Sequence, residues 1–234
     1  MPYEKDGSIY HDGTTFCIGG KRANPKQLKL VHDVLNDDDY SYYAYGGAIR
    51  GGKSFVDLFI LHQLSLLHEE SRWGVVRADL PVIKATTIPS FNKLIDIDRY
   101  GKWNLSSSTF NYKNGSKIIF KSENLTHDPE LNSFLGFECN GIFLEQAEEL
   151  SEKMWNRAIE RAGSWYIENM PKSLILTTFN PTQKWVKDKF YTPHAKGTLE
   201  KPYYYLNALP DDNPFVTKDQ WRNWQNLDER SKKI

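Results

Sequence analysis

The sequence predicts an α/β protein built on a mostly parallel central sheet with helices on both faces. Three observations predict it. Apolar runs of strand character alternate with segments of helical apolar spacing along most of the chain. Two of those runs, Trp73-Gly74-Val75-Val76-Arg77 and Gly141-Ile142-Phe143-Leu144, read as short buried strands. The aromatic run Ser41–Tyr45 then ends in glycines and passes through Lys53-Ser54 into a helical segment. That is the strand–loop–helix context of a phosphate-binding loop.

At 234 residues the chain has room for one large domain, or one domain with a small appendage. Hydrophobic residues make up 39% and aromatic residues 14%, enough for a substantial core. Lys+Arg and Asp+Glu both number 30, so the formal net charge is zero and a nucleic-acid partner would have to meet a local basic face. Cys17 and Cys139 offer neither a disulfide framework nor a zinc spacing, consistent with a reducing compartment. No apolar run reaches the ~18 residues of a membrane span. The opening Met-Pro-Tyr-Glu-Lys-Asp lacks the apolar stretch of a signal peptide. Neither a membrane span nor a secretory leader is expected.

Residues 1–24 are polar and dotted with glycine, and read as irregular structure with at most one hairpin. Asn24-Pro25 starts a helix running to about Leu35, with Leu28, Val31, Val34 and Leu35 on one face and Gln27 in the first turn. A glutamine amide just ahead of a phosphate loop can pair with both donor and acceptor on an adenine edge. Gly47-Ala48-Ile49-Arg50-Gly51-Gly52-Lys53-Ser54 fits G-x-x-x-x-G-K-[ST]. Its glycines let successive N–H groups curl around phosphate oxygens at a helix N-terminus. Lys53 can reach the β- and γ-phosphates and Ser54 can ligate Mg²⁺, so Gly47 to Phe55 is the candidate ATP-binding set.

The helix from Lys53 to about Glu70 is apolar nearly all round and should be buried on more than one side. Arg77 ends the next strand, and a helix from Asp79 is expected to be interrupted near Pro89. Trp103–Tyr112 and Lys117–Phe120 alternate around Asn114-Gly115, a hairpin signal, decorated by Lys113, Lys117 and Lys121. Asp128-Pro129 should open a short helix ending at Gly136. Ser151 should cap a helix over about 152–162 that carries Arg157 and Arg161. Leu174–Thr178 is another apolar strand, ending at Asn180-Pro181, again a cap and first-turn proline. The pattern loosens from about Tyr191. A strand Tyr203–Asn207, then Asp211-Asp212-Asn213-Pro214, then a helix from about Lys218 with a Thr217/Gln220 capping box complete the chain. The expected division is a core over 1–195 and a lid or linker over 196–234.

Hydrolysis needs more than a phosphate loop. An apolar strand ending in an acidic pair is the usual second element, one carboxylate serving the metal shell and the next orienting water. The strand-end residues are Glu145 and Gln146. Glu145 can serve Mg²⁺; Gln146 cannot take a proton, so as a general base it is disabled.

The arginine-bearing phosphate loop and the run Gly136–Leu150 resemble those of large terminase subunits, the DNA-packaging motors of tailed bacteriophages. Thr177-Thr178-Phe179-Asn180-Pro181 is similar to their coupling motif, and Asp212-Asn213-Pro214 to the stretch that follows. Gln27 and Arg77 stand where the family places an adenine-contacting glutamine and an arginine. The resemblance implies a P-loop NTPase core of the additional-strand, catalytic-glutamate (RecA-like) type, with strand 174–178 between the phosphate-loop strand and the Glu145 strand. It implies ATP and Mg²⁺ as cofactors, with Thr177, Thr178 and Asn180 as γ-phosphate sensors. The implied partners are double-stranded DNA, a homo-oligomeric ring on a procapsid portal and a small terminase subunit, in the host-cell cytoplasm. Arg157 or Arg161 would complete a neighbour's site, and Arg50 could act within its own loop.

The sequence departs from the family pattern at Gln146, where a catalytic glutamate is expected. An engineered substitution and a naturally slow or inactive ATPase are the two explanations. Family members continue into a nuclease domain that is expected to be absent here. A helicase-like translocase and a nucleotide-binding assembly module without turnover are the alternative readings.

Overall fold

The computed structural model describes residues 24–48, 51–180, 184–214 and 216–226, and their strands join in one eight-stranded sheet. The strands are β1 (Tyr42–Gly47), β2 (Arg72–Arg77), β3 (Gly101–Asn104), β4 (Thr109–Tyr112), β5 (Lys117–Ser122), β6 (Gly141–Leu144), β7 (Leu174–Phe179) and β8 (Tyr203–Ala208). In space they run β3-β4-β5-β2-β6-β7-β1-β8. From β5 to β8 every pairing is parallel, and β3-β4-β5 is an antiparallel meander on one edge. The order places β7 between β1 and β6, as the resemblance implies.

The helices are α1 (Pro25–Asn36), α2 (Lys53–Leu67), α3 (Leu80–Val82), α4 (Ile88–Leu94), α5 (Ile97–Tyr100), α6 (Glu152–Arg161), α7 (Thr192–Ala195) and α8 (Lys218–Gln225). Local chemistry starts them where the sequence says. The Asn24 side chain accepts from the amides of Lys26 and Gln27, and Ser151 accepts from Met154. α2 is buried without a gap from Val56 to Ser65, which its all-round apolar character requires.

Strand periodicity sorts the core into two layers. Tyr43, Tyr45, Trp73, Val75, Phe143, Leu174 and Leu176 face one side, where they pack with α1, α2 and Phe91. Ala44, Val76, Ile142, Leu144, Ile175 and Phe179 face the other, against Met154 and Trp155 of α6 and Phe190. The alternation by single residues is the two-residue period of a pleated strand, applied to a sheet covered on both faces.

Three expectations change. The run 103–112 is two strands, because Asn104 accepts from Ser106 and Ser107 and turns the chain within a serine-rich stretch. The helix from Asp79 is not broken at Pro89. It widens into a π segment over Ile83–Thr87, where Ile88 N–H reaches back to the Ile83 carbonyl, just ahead of the proline that cannot donate. The helix expected over 128–136 is reduced to one 3₁₀ turn, Asn132–Phe134, because Leu131 takes φ 55° and stops propagation from Pro129. β8, beyond residue 195, pairs with β1 along its whole length. Residues 1–23 and the charged tail from 227 lie outside the described residues.

β8 also backs the phosphate loop. Gly47 has φ 141°, and a Cβ there would lie 2.1 Å from the Ala208 carbonyl oxygen. A Cβ on Gly51 would lie 2.8 Å from the Ala208 Cβ. Replacing Gly47 by alanine should therefore cost about 1–3 kcal/mol through forced backbone strain. Urea unfolding of Gly47→Ala against the parent measures it; equal midpoints would show that the loop is not pinned to β8.

Candidate phosphate-binding site

A pocket of about 390 Å³ opens at the C-terminal ends of β1, β6 and β7, within the size range of ligand sites. Gly51, Gly52, Lys53, Ser54, Phe55, Gln146, Thr178, Phe179 and Asn180 line it. Parallel strands present their carboxyl ends to one edge, and the sheet order makes three of those ends adjacent. Gly52 is left-handed at φ 74° and directly precedes the first turn of α2, so the loop aims the helix N-terminus into the pocket.

Lys53 is the charged centre of this arrangement. Its Nζ donates to the Gly47 carbonyl at 2.9 Å, the Ala48 carbonyl at 2.7 Å and Asn180 Oδ1 at 3.0 Å. Burial pushes its pKa down to about 8, against the opposing pull of Glu148. Glu148 is itself buried, and burial raises its carboxyl despite hydrogen bonds from Asn180 and the charge of Lys53.

The acidic turn after β6 is shaped around two carboxylates. Glu145 is buried, and its Oε2 accepts from Thr87 Oγ1, which the π segment delivers. Asp57 on α2 is fully buried, and its carboxyl is driven well up by burial and by the charge of Glu145. Gln146 takes the left-handed conformation at φ 50°, a strained place for a side-chain-bearing residue. Its N–H donates to Thr178 Oγ1 at 3.2 Å. Arg77 donates to Thr86 Oγ1 at 2.8 Å and approaches Glu149 at 3.6 Å, joining the end of β2 to both the helix and the turn.

The expected residues fall into three groups. Gly51, Gly52, Lys53, Ser54, Phe55, Gln146, Thr178 and Asn180 converge on the pocket, with Gln27 beside it. Gln27 is buried rather than exposed, and its Nε2 donates to the Gly52 carbonyl at 2.7 Å. Thr177 does not join them; one step along β7 it is fully buried, off the pocket lining. Arg157 and Arg161 also lie off it, on α6. Arg157 pairs with Glu160 at 2.5 Å, and Arg161 donates to the Leu135 carbonyl at 2.7 Å. Ile49 and Arg50 lie outside the described residues. The Asn180 side-chain oxygen takes Lys53 and its amide nitrogen goes to Glu148, while the helix start expected at 181 lies outside the described residues.

Glu148, Asp57 and Thr87 were not anticipated. Asp57 carried a signal, as the one acid in a helix otherwise apolar on every side. Glu148 was hidden among its acidic neighbours, and nothing in the sequence marks Thr87.

Comparisons with known proteins identify the family and the fold. Residues 83–234, more than half of the chain, match the family described as phage terminase large subunit. The chain belongs to that family. The large terminase of the thermophilic bacteriophage D6E superposes with a TM-score of 0.69 at 18% identity, covering 88% of this chain and 51% of that one. The same terminase in complex with ADP gives 0.64 at 19% identity, over 86% and 48%. The ATPase domain of the Thermus phage P74-26 large terminase gives 0.54 at 11% identity, over 83% of each chain. The fold is thus the α/β, RecA-like P-loop fold of terminase ATPase domains. The chain spans about half the length of the D6E terminase structures. No curated protein matches the sequence.

An amine with a pKa near 8 is about half neutral at pH 8, whereas an ordinary surface lysine is under ~1% neutral. The acetylation rate of Lys53, followed against pH by peptide mass spectrometry, should therefore level off above about pH 8, whatever its absolute value, while that of exposed lysines keeps rising to about pH 10. A Lys53 profile that rises in parallel with the exposed lysines would contradict the buried-ammonium environment.

Proposed function

We propose that this chain is the ATP-hydrolysing motor domain of a phage DNA-packaging machine that moves double-stranded DNA into a procapsid. One observation carries the reading: β7 brings Thr178 and Asn180 into the pocket between Lys53 and the turn at 146. A γ-phosphate held by Lys53 would then face the strand that leads onward to residues 184–208, so that its loss can be passed along the chain. ADP and ATP-γ-S complexes of the D6E terminase lend support.

The donor set fits Mg²⁺, a hard cation that keeps several waters and takes one or two protein oxygens beside phosphate. Ser54 lines the pocket, and Glu145, one residue from pocket-lining Gln146, carries its carboxylate on a hydrogen bond from Thr87. These two residues would hold it. When bound, the ion neutralises charge on the β- and γ-phosphate oxygens. Gln27, held against Gly52, is the candidate adenine contact. Thr178 and Asn180 are the candidate sensors, with Thr177 packed behind them.

At position 146 an amide stands where the family resemblance puts a base. Gln146 can hydrogen-bond a water but cannot accept its proton. The proposed state of this chain is therefore a domain that binds ATP and is silenced in turnover. Gln146 also favours a second reading, a nucleotide-gated assembly module. Arg157 and Arg161, each bonded within its own chain, are the candidates for completing a neighbouring subunit's site in a ring on the portal. A small terminase subunit completes the proposed machine, at work in the host-cell cytoplasm.

Single-turnover ATP hydrolysis by the parent and by Gln146→Glu, with binding titrations, tests the proposal. Both should bind ATP with Mg²⁺, and the Glu form should hydrolyse it about 10²–10⁴-fold faster, the range of a positioned base. Should neither turn over at concentrations that allow assembly, the motor reading yields to the assembly module.

A further inference from the structure

Glu148 lies off the pocket lining, yet it dictates what Asn180 can offer to the pocket. Glu148 Oε1 accepts twice from Asn180, from the backbone N–H at 3.1 Å and from Nδ2 at 2.7 Å. An oxygen that takes two N–H donors is an acceptor whatever the state of its partner oxygen. The Asn180 amide must therefore turn its nitrogen to Glu148 and its oxygen away. That oxygen meets Lys53, which has only donors, at 3.0 Å. The amide orientation is thus fixed from both ends.

All three protons of the Lys53 ammonium are engaged by protein oxygens, those of Gly47, Ala48 and Asn180. A phosphate that takes Lys53 has to compete with them. We propose that Glu148 is a positioning residue that latches Lys53 through Asn180, so that a phosphate arriving at Lys53 must displace the Asn180 contact. The displacement would be felt beyond β7, because the following segment is tied to the same turn. Lys184 Nζ donates to the Glu148 carbonyl, and Trp185 Nε1 donates to the Leu150 carbonyl at 2.9 Å. The inference rests on the proposed nucleotide-binding reading, and it adds a residue that the sequence pattern did not single out.

The latch has an unusual signature: cutting it should strengthen binding. In titrations with a fluorescent ADP analogue and Mg²⁺, Glu148→Met removes the acceptor and should tighten binding about two- to tenfold, the worth of one hydrogen bond. Glu148→Gln keeps an accepting oxygen without the charge and should stay within about twofold of the parent. Equal tightening in both variants would assign the effect to charge repulsion and overturn the latch. Unchanged or weaker binding by Glu148→Met would overturn it too, since opening a latch on Lys53 has to favour the phosphate. Should Glu148→Met not fold, Asn180→Ala cuts the latch from its other end and should tighten ADP binding in the same range. The Asn180 side-chain amide resonance should shift in Glu148→Met and hold its place in Glu148→Gln. A parent that binds no ADP removes the proposed function itself; a parent that binds, with indifferent variants, removes only the latch.

Discussion

An ammonium group taken out of water has to be met by oxygen, and the pocket is arranged around that need. Desolvating such a charge costs several kcal/mol even after relaxation. Lys53 offsets the cost with oxygens drawn from two distant parts of the chain, the loop carbonyls of Gly47 and Ala48 and the side chain of Asn180. Those parts meet only because β7 is paired with β1 in parallel register, Gly46 opposite Phe179. The position of β6 on the far side of β7 then brings Glu148 up behind Asn180. Helix α2, buried along most of its length, supplies the rigid base from which the lysine projects. Sheet order, helix burial and the acidic turn thus answer to one cation.

The acidic side of the site is organised by a helix irregularity. An α-helix entering Pro89 would have to lose a hydrogen bond and accommodate the ring against the preceding turn. The π segment Ile83–Thr87 absorbs this, and in doing so it turns Thr87 onto Glu145 while Thr86 receives Arg77. Insertions of this kind recur at functional sites because they re-aim side chains without breaking the helix. Burial, and then the charge of Glu145, push the Asp57 carboxyl well above its ordinary value.

What could be read from the sequence follows from how local its cause is. The strand and helix that flank the phosphate loop, the Asn24 and Ser151 caps and the buried strands β2, β6 and β7 are all written in short windows, and all stand in the structure. The place of β7 came from resemblance rather than from any window, since pairing of residues as far apart as Tyr42 and Ile175 leaves no local mark. The turn at Asn104–Ser108 is marked only by a change of parity: Trp103 and Phe110 would face opposite sides of a single strand, and the turn lets them pair. Gln27 was ambiguous for a similar reason. Its first-turn position fits an exposed residue or one held by the loop, and only the approach of Gly52, distant in the chain, decides. Glu148 shows the limit most plainly: four acidic or amide residues crowd 145–149, and only three-dimensional contact separates their duties.

The register of β1 bears on how the chain comes to be folded as it is made. Both neighbours of β1, β7 and β8, are encoded long after it, so the strand leading into the phosphate loop leaves the ribosome with neither partner yet synthesised. The meander β3-β4-β5 can close on its own from nearby residues, and β2 can join β5 soon after. Long-range parallel pairing is slow, because loop closure precedes the contacts that reward it. Vectorial synthesis therefore assembles the meander edge of the sheet first and seats the glycine loop last, once Ala208 has emerged to lie against it.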